Sequence, residues 1–251
     1  MSIREITRIN RLIIAGHRGF ASRYPENTLL SLQKAVEAGV DMVEFDIGLS
    51  KDNVPVLCHD PSLDRTTTGT GLVNSHSWRE LSRLDAGFKK SPHFSGTPIP
   101  KFEEVCEWAL GYPSLLLNID LKRGDVALKA VDHVMKLVLR YGLQQRAVFN
   151  SGDKRVIDKI YEEYGFMLEG GENHFASGSP ETGKRLDAVC LHIDRVASET
   201  VQKYVDMGKL VWCWGAEELE EINKAIDCGV TLLVCDNPTT CLDIVKERGI
   251  V

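Results

Sequence analysis

Short β-rich runs alternate with longer stretches of helical period eight times along the 251 residues. The runs at 12–16, 41–47, 114–120, 146–150, 165–169, 187–191, 209–214 and 231–235 have the length and apolar character of buried strands. Helical spacing marks the stretches near 27–39, 101–111, 125–141, 152–164, 172–184, 197–208, 216–228 and 238–248. The stretch at 125–141 opens with Asp125, carries Lys136 and Arg140 toward its end and stops at Gly142, while Pro238 suits the first turn of the last helix. "ENHFASGSPETG", inside 172–184, holds two glycines and a proline and fits a helix least well. Strict alternation favours a parallel sheet, and eight units in about 250 residues is the count of a (β/α)8 TIM barrel. A doubly wound open sheet is the alternative left by the pattern alone.

Residues 48–100 break the repeat. "SKDNVPVLCHD" reads as a turn at Asp52-Asn53 and a short extra strand at 54–58, and the residues beyond it are rich in Thr, Ser, Gly and Pro. A segment of that length is uncommon unless it is functional or a small subdomain. It reads as an insertion after the second barrel strand, within a single domain spanning 1–251, on the face where barrel loops build active sites.

In "DMVEFDIGL", Glu44 and Asp46 lie two residues apart in an otherwise apolar strand, so both turn to one face with Met42 and Gly48. Two ionised carboxylates inside a barrel repel and are costly to desolvate unless positive charge sits between them. The next inner strand repeats the pattern: "LLLNIDLK" puts Leu116, Asn118, Asp120 and Lys122 on one parity, apolar first and polar toward the C-terminal end. One strand-end acid is usually a cap or a surface group. Three converging on the C-terminal mouth, two of them in phase, form an oxygen-donor set for one divalent metal ion, Mg2+ or Ca2+. No nearby Cys/His spacing supports a closed zinc site.

His17 ends the first strand in "LIIAGHRG" and His59 ends the extra strand in "VPVLCHD". Two histidines beside a metal suit proton transfer at neutral pH, Arg18 offers a fixed fork for an oxyanion, and Gly16 and Gly19 leave room for a ligand. His76, His93, His133, His174 and His192 lack such context and read as structural or solvated. Metal, arginine, lysine and paired histidines together point to phosphoryl chemistry, without the GxxxxGK[ST] loop of P-loop enzymes.

These residues resemble the glycerophosphodiester phosphodiesterases, a family of TIM barrels with a small insertion. The likeness is carried by residues 15–71, with their HRG, PENT, E-x-D and HD blocks, by "LNIDLK" at 117–122, and more loosely by "VWCWG" and "GVTLLVCDNP". The resemblance implies hydrolysis of a small-molecule glycerophosphodiester to glycerol 3-phosphate and an alcohol. It implies His17 and His59 as the acid–base pair, Arg18 and Lys122 as phosphate contacts, and Glu44, Asp46 and Asp120 as metal ligands. Glu26, in the PENT block, is implied to line the site or fix its loop, and Trp212 and Trp214 to form a pocket wall that contacts substrate. The nucleophile is either water or the glycerol's own 2-hydroxyl, the latter passing through a cyclic phosphate. Three positions depart from the family: Asp120 stands where Glu is usual, "WCWG" where "WTVN" is common, and Cys235-Asp236 where "TD" is common.

Two other readings stand beside this one. A lysophospholipase D or a cyclising phosphodiester lyase, as in the spider sphingomyelinase D enzymes that share this barrel, requires an apolar groove beside the metal. Trp212, Trp214 and Phe20 are its candidates. A non-catalytic phosphate-ester binder has no need of two proton carriers. The net charge of −6 without a Lys/Arg block argues against nucleic acid as a partner. No window approaches the roughly 18 apolar residues of a membrane span, and "MSIREITRIN" lacks the core of a signal peptide. Seven cysteines without a CxxC pair read as reduced, mostly buried thiols of a cytoplasmic protein. The headgroup alcohol and the oligomeric state are left open.

Overall fold

In the computed structural model, which describes residues 3–6, 12–175 and 180–250, each of the eight apolar runs is a strand within two residues of its expected bounds. They are β1 (Ile13–Gly16), β2 (Met42–Leu49), β4 (Leu116–Leu121), β5 (Ala147–Asn150), β6 (Met167–Gly170), β7 (Ala188–His192), β8 (Leu210–Trp214) and β9 (Leu232–Cys235). The ring runs β1-β9-β8-β7-β6-β5-β4-β2 with every pairing parallel, and β1 pairs with β2 to close it. That closure excludes the open-sheet alternative. The extra strand, β3 (Pro55–Leu57), lies antiparallel on the C-terminal half of β2.

Helices α2 (Leu29–Ala38), α4 (Phe102–Ala109), α5 (Asp125–Arg140), α6 (Lys154–Tyr164), α7 (Pro180–Arg185), α8 (Ser198–Asp206), α9 (Leu219–Asp227) and α10 (Pro238–Glu247) separate the strands, with α1 (Ile3–Ile6) ahead of β1 and α3 (Trp78–Leu81) in the insertion. Thr28 caps α2 by accepting the Ser31 N–H, and Gly39, at φ 102°, ends it in the left-handed region. The expected helix at 172–184 is instead a 3-10 turn, Glu172–Phe175, and then α7, residues 176–179 lying outside the described ones. Proline has no N–H to donate, which suits Pro180 to the first position of α7.

Two apolar layers follow from the strand parity. Inward-facing Ile13, Met42, Leu116, Val148, Met167 and Trp212 fill the barrel, and Ile3 of α1 joins them. Outward-facing side chains such as Val43, Phe45 and Ile119 pack under the helices. The insertion has an apolar cluster of its own, including Val56, Leu63, Val73, Leu81 and Ile99.

The turn after β1 is tight. A Cβ on Gly16 would meet Gly19 O at 2.5 Å and Ala35 Cβ at 2.9 Å, so only glycine lets β1 turn here against α2. Arg18 and Asn27 then sit at φ 51° and 55°, conformations that non-glycine residues adopt mainly where surrounding contacts enforce them.

One expectation about the cysteines is corrected. Cys235, at the end of β9, and Cys241, in the second turn of α10, form a disulfide, because the strand-to-helix turn folds the two back toward each other. Cys58, Cys106, Cys190, Cys213 and Cys228 are free, the first two and Cys213 buried.

Candidate active site

Within the barrel the inward side chains change from apolar to polar along each strand toward the C-terminal end. Register then sets the neighbours: Asp46 pairs with Asp120, Asp120 with Asn150, and Asn150 with Glu169, so β2, β4, β5 and β6 present polar groups at one level. Carboxylate oxygens of Glu44, Asp46 and Asp120 all lie within 4.8 Å of one another. The Lys122 ammonium contacts both Asp46 and Asp120, and Arg18 Nε lies 3.3 Å from Asp46 Oδ2.

Burial, and then the Asp46 charge, push the Glu44 carboxyl up to about 7. Burial also raises Asp120. At Asp46 burial works the same way, but Lys122 and Arg18 outweigh it and hold that carboxylate below its usual range. The protein's own cations thus fall short of neutralising the cluster. The donors are all oxygens, and the cluster fits a hard divalent cation on both counts.

Backbone and side chains fix these groups in place. The Arg18 N–H donates to Glu44 Oε2 at 2.8 Å, and the Arg18 guanidinium donates to Glu26 Oε1 at 2.9 Å. Asn27 clasps Asp46 twice, its Nδ2 donating to Oδ2 at 2.7 Å while its Oδ1 accepts the Asp46 N–H at 3.0 Å. The two strained residues of the β1–α2 loop therefore hold the two acids of β2.

The histidines are matched. His17 Nδ1 lies 2.6 Å from Asp236 Oδ1, and His59 Nδ1 lies 2.7 Å from Asp60 Oδ1. A carboxylate only accepts, so each Nδ1 carries the proton and leaves Nε2 for other work. His17 Nε2 is 3.9 Å from Glu44 Oε2. Burial opposes the charged form of His17, but Asp236 and Glu44 overcome it and raise its pKa.

A cavity of about 800 Å³ opens over these groups, with His17, His59, Glu44, Asp120, Lys122 and Trp214 in its wall. Trp214 is 44% exposed and meets the His192 ring edge-on at 4.5 Å. Trp212 is different. It is fully buried in the barrel interior and lines no part of the cavity, because inward parity at the middle of β8 points to the core. Phe20 is likewise buried, against α2 and the outer layer. Glu26 lies outside the cavity wall, bridging Arg18 to Arg65 of the insertion at 2.7–2.9 Å.

Asn27, Asp60 and Asp236 do not stand out in the sequence by themselves, although each adjoins a motif that does. Glu169 carries a plain signal: an acid at inward parity with Met167 in an apolar strand. Of the histidines without sequence context, His174 is buried with Nε2 2.7 Å from Ser151 O.

A sequence profile of the glycerophosphoryl diester phosphodiesterase family matches residues 17–240. The chain belongs to this family. It is accordingly an enzyme, a phosphodiesterase. A glycerophosphodiester phosphodiesterase of Caldanaerobacter subterraneus subsp. tengcongensis is 30% identical over 250 residues, which cover 95% of this chain and all of that protein. The rat lysophospholipase D GDPD1 is 33% identical over 153 residues, 59% of this chain and 47% of that protein. Among solved structures, an Oleispira antarctica phosphodiesterase in complex with the product sn-glycerol-3-phosphate superposes with a TM-score of 0.88 at 24% identity, covering 96% of this chain and 99% of that one. A Silicibacter pomeroyi relative gives a TM-score of 0.85 at 22% identity over 95% of this chain and 94% of that one. At that identity the structures speak for the fold, which is the TIM barrel.

Proposed function

We propose that this family member hydrolyses small glycerophosphodiesters to glycerol 3-phosphate and an alcohol, with one divalent cation, Mg2+ or Ca2+, and His17 and His59 as the acid–base pair. The observation that carries the reading is the pair of imidazoles, each tethered at Nδ1 to a carboxylate, in the wall of one cavity that also holds the three-carboxylate cluster.

Glu44, Asp46 and Asp120 would hold the cation, which when bound supplies Lewis-acid charge for the phosphoryl oxygens. Arg18 and Lys122 orient the phosphodiester and offset its charge. One histidine takes the proton of the attacking hydroxyl, water's or the glycerol's own, at its free Nε2; the other protonates the leaving alcohol. Trp214 forms a wall for the departing group. A cytoplasmic setting belongs to this reading and is testable by cell fractionation. Among the described residues no helix is long and apolar enough to cross a membrane.

The test is to incubate metal-stripped protein with glycerophosphocholine, glycerophosphoethanolamine and glycerophosphoinositol, adding Mg2+ or Ca2+, with His17→Ala as control. Metal-restored release of glycerol 3-phosphate, absent in the variant, is the expected result. Tight binding without turnover would favour a binding protein instead.

One observation favours a second reading, lysophospholipase D. The cavity lining extends to an apolar crevice formed by Ile47 and Leu49 of β2 and by Val126, Ala127 and Ala130 of α5. Exposed Leu72 and Val126 stand among its lining residues. This crevice, and not Trp212 or Phe20, is the place for an acyl chain. A rise in kcat/KM along a series of lengthening 1-acyl chains separates the two readings.

A further inference from the structure

The cation site has one member shorter than its family pattern implies, Asp120, and one acid that pattern does not mention, Glu169. The two are linked through the sheet: Asp120 pairs with Asn150 and Asn150 with Glu169, so the acids stand at one level of the barrel, two strands apart. Glu169 is 2% exposed and lines the same cavity as Glu44 and Asp120.

Its hydrogen bonding is half complete. Oε1 accepts from Asn118 Nδ2 at 3.1 Å, and Oε2 has no hydrogen-bond partner that meets distance and angle criteria among the described residues. Asn118, 1% exposed and in register with Glu44, is in the same condition, its Oδ1 also unpartnered. In the ionised form that a neighbouring cation favours, these two buried oxygens lack a strong donor beside the carboxylate cluster. The Cys190 thiol acts on the Glu169 carboxyl only as a weak donor, and the Lys122 ammonium is engaged by Asp46 and Asp120. Buried acceptors left unpaired are costly, and a hydrated cation brings donors that the chain does not supply.

We propose that Glu169 is a positioning residue of the cation site, holding through a bound water the side that the short Asp120 side chain leaves open. Asn118 sets its rotamer. A carboxylate lengthened by one methylene at position 120 would reach across that gap itself, and Glu169 would then have nothing to do. The inference rests on the metal-dependent reading above.

The experiment is Mg2+ and Ca2+ titration calorimetry on the full chain, without substrate, in a double-mutant cycle of Glu169→Gln and Asp120→Glu. Outer-sphere partners of metal sites typically contribute 10- to 100-fold in affinity. Glu169→Gln is expected to weaken binding by that factor in the Asp120 background, and by less than about 3-fold once Asp120→Glu is present. Unchanged affinity in Glu169→Gln overturns the proposal, as does an equal loss in both backgrounds, which would make Glu169 a structural residue only. If Glu169→Gln and Glu169→Met both fail to fold, Asp120→Glu alone decides: binding at least as tight as wild type supports the proposal, and a 10-fold loss overturns it. Wild type that binds neither ion overturns the metal-dependent reading along with it. Wild type that binds while Glu169→Gln is unaffected overturns this inference alone.

Discussion

His17 Nδ1 lies 2.6 Å from Asp236 Oδ1, across the seam where β9 meets β1. Asp236 orients the ring, fixes its tautomer and favours its charged form. Asp236→Asn removes the last two together. Because the Asp236 side chain is 47% exposed, water softens the loss relative to a buried dyad. A fall in kcat of about 10²-fold is expected, with the limb of the pH–rate profile that belongs to His17 moved to lower pH. Profiles of kcat/KM for the two proteins check this.

Lys122 holds Asp46 and Asp120 together when no metal is bound. Lys122→Met leaves two buried carboxylates facing each other and is expected to destabilise the metal-free protein by roughly 3 kcal/mol. Saturating Mg2+ should recover much of that. Urea unfolding with and without Mg2+ gives both values.

The two tryptophans of β8 should separate by kind of damage. Trp212→Ala opens a cavity in the barrel core and is expected to cost about 3–5 kcal/mol of stability. Trp214→Ala removes a half-exposed wall, so stability should change by less than about 1 kcal/mol while KM rises several-fold. Thermal melts paired with steady-state kinetics distinguish them.

Burial raises the Glu169 carboxyl to about 8 against an ordinary 4.5. The folded chain then keeps a proton that the unfolded chain releases near pH 4.5. The stabilisation is full below that value and is lost as pH climbs through about 8. Metal-free wild type should therefore lose on the order of a few kcal/mol between about pH 5 and pH 8, and Glu169→Gln less, the slope that remains coming in part from Glu44, which burial raises to about 7. Urea midpoints across that range test the slope.

Most of the barrel could be read from the chain because parallel strands covered on both faces need apolar runs, and those runs stand out between amphipathic helices. Glu44, Asp46 and Asp120 were legible for the converse reason, as acids where only apolar side chains are cheap. Trp212 misled because strand parity says which residues face inward but not how deep each lies; two residues separate the core from the cavity. Asp236 and Asn27 were harder, since their partners lie 219 and 19 residues away and only the closed ring brings His17 and Asp236 together. Asp60 adjoins its partner His59, but adjacency in a loop does not say that the two side chains turn toward each other. The Cys235–Cys241 pair depends on the pitch of a single turn, which composition does not encode.

Arg65 of the insertion grips Glu26, Glu26 grips Arg18, and Arg18 reaches Asp46. Three consecutive ion pairs thus run from the insertion to the acid at the floor of the cavity. A charge removed at Arg65, beyond β2 in the chain, is therefore felt at Asp46 through Glu26 and Arg18.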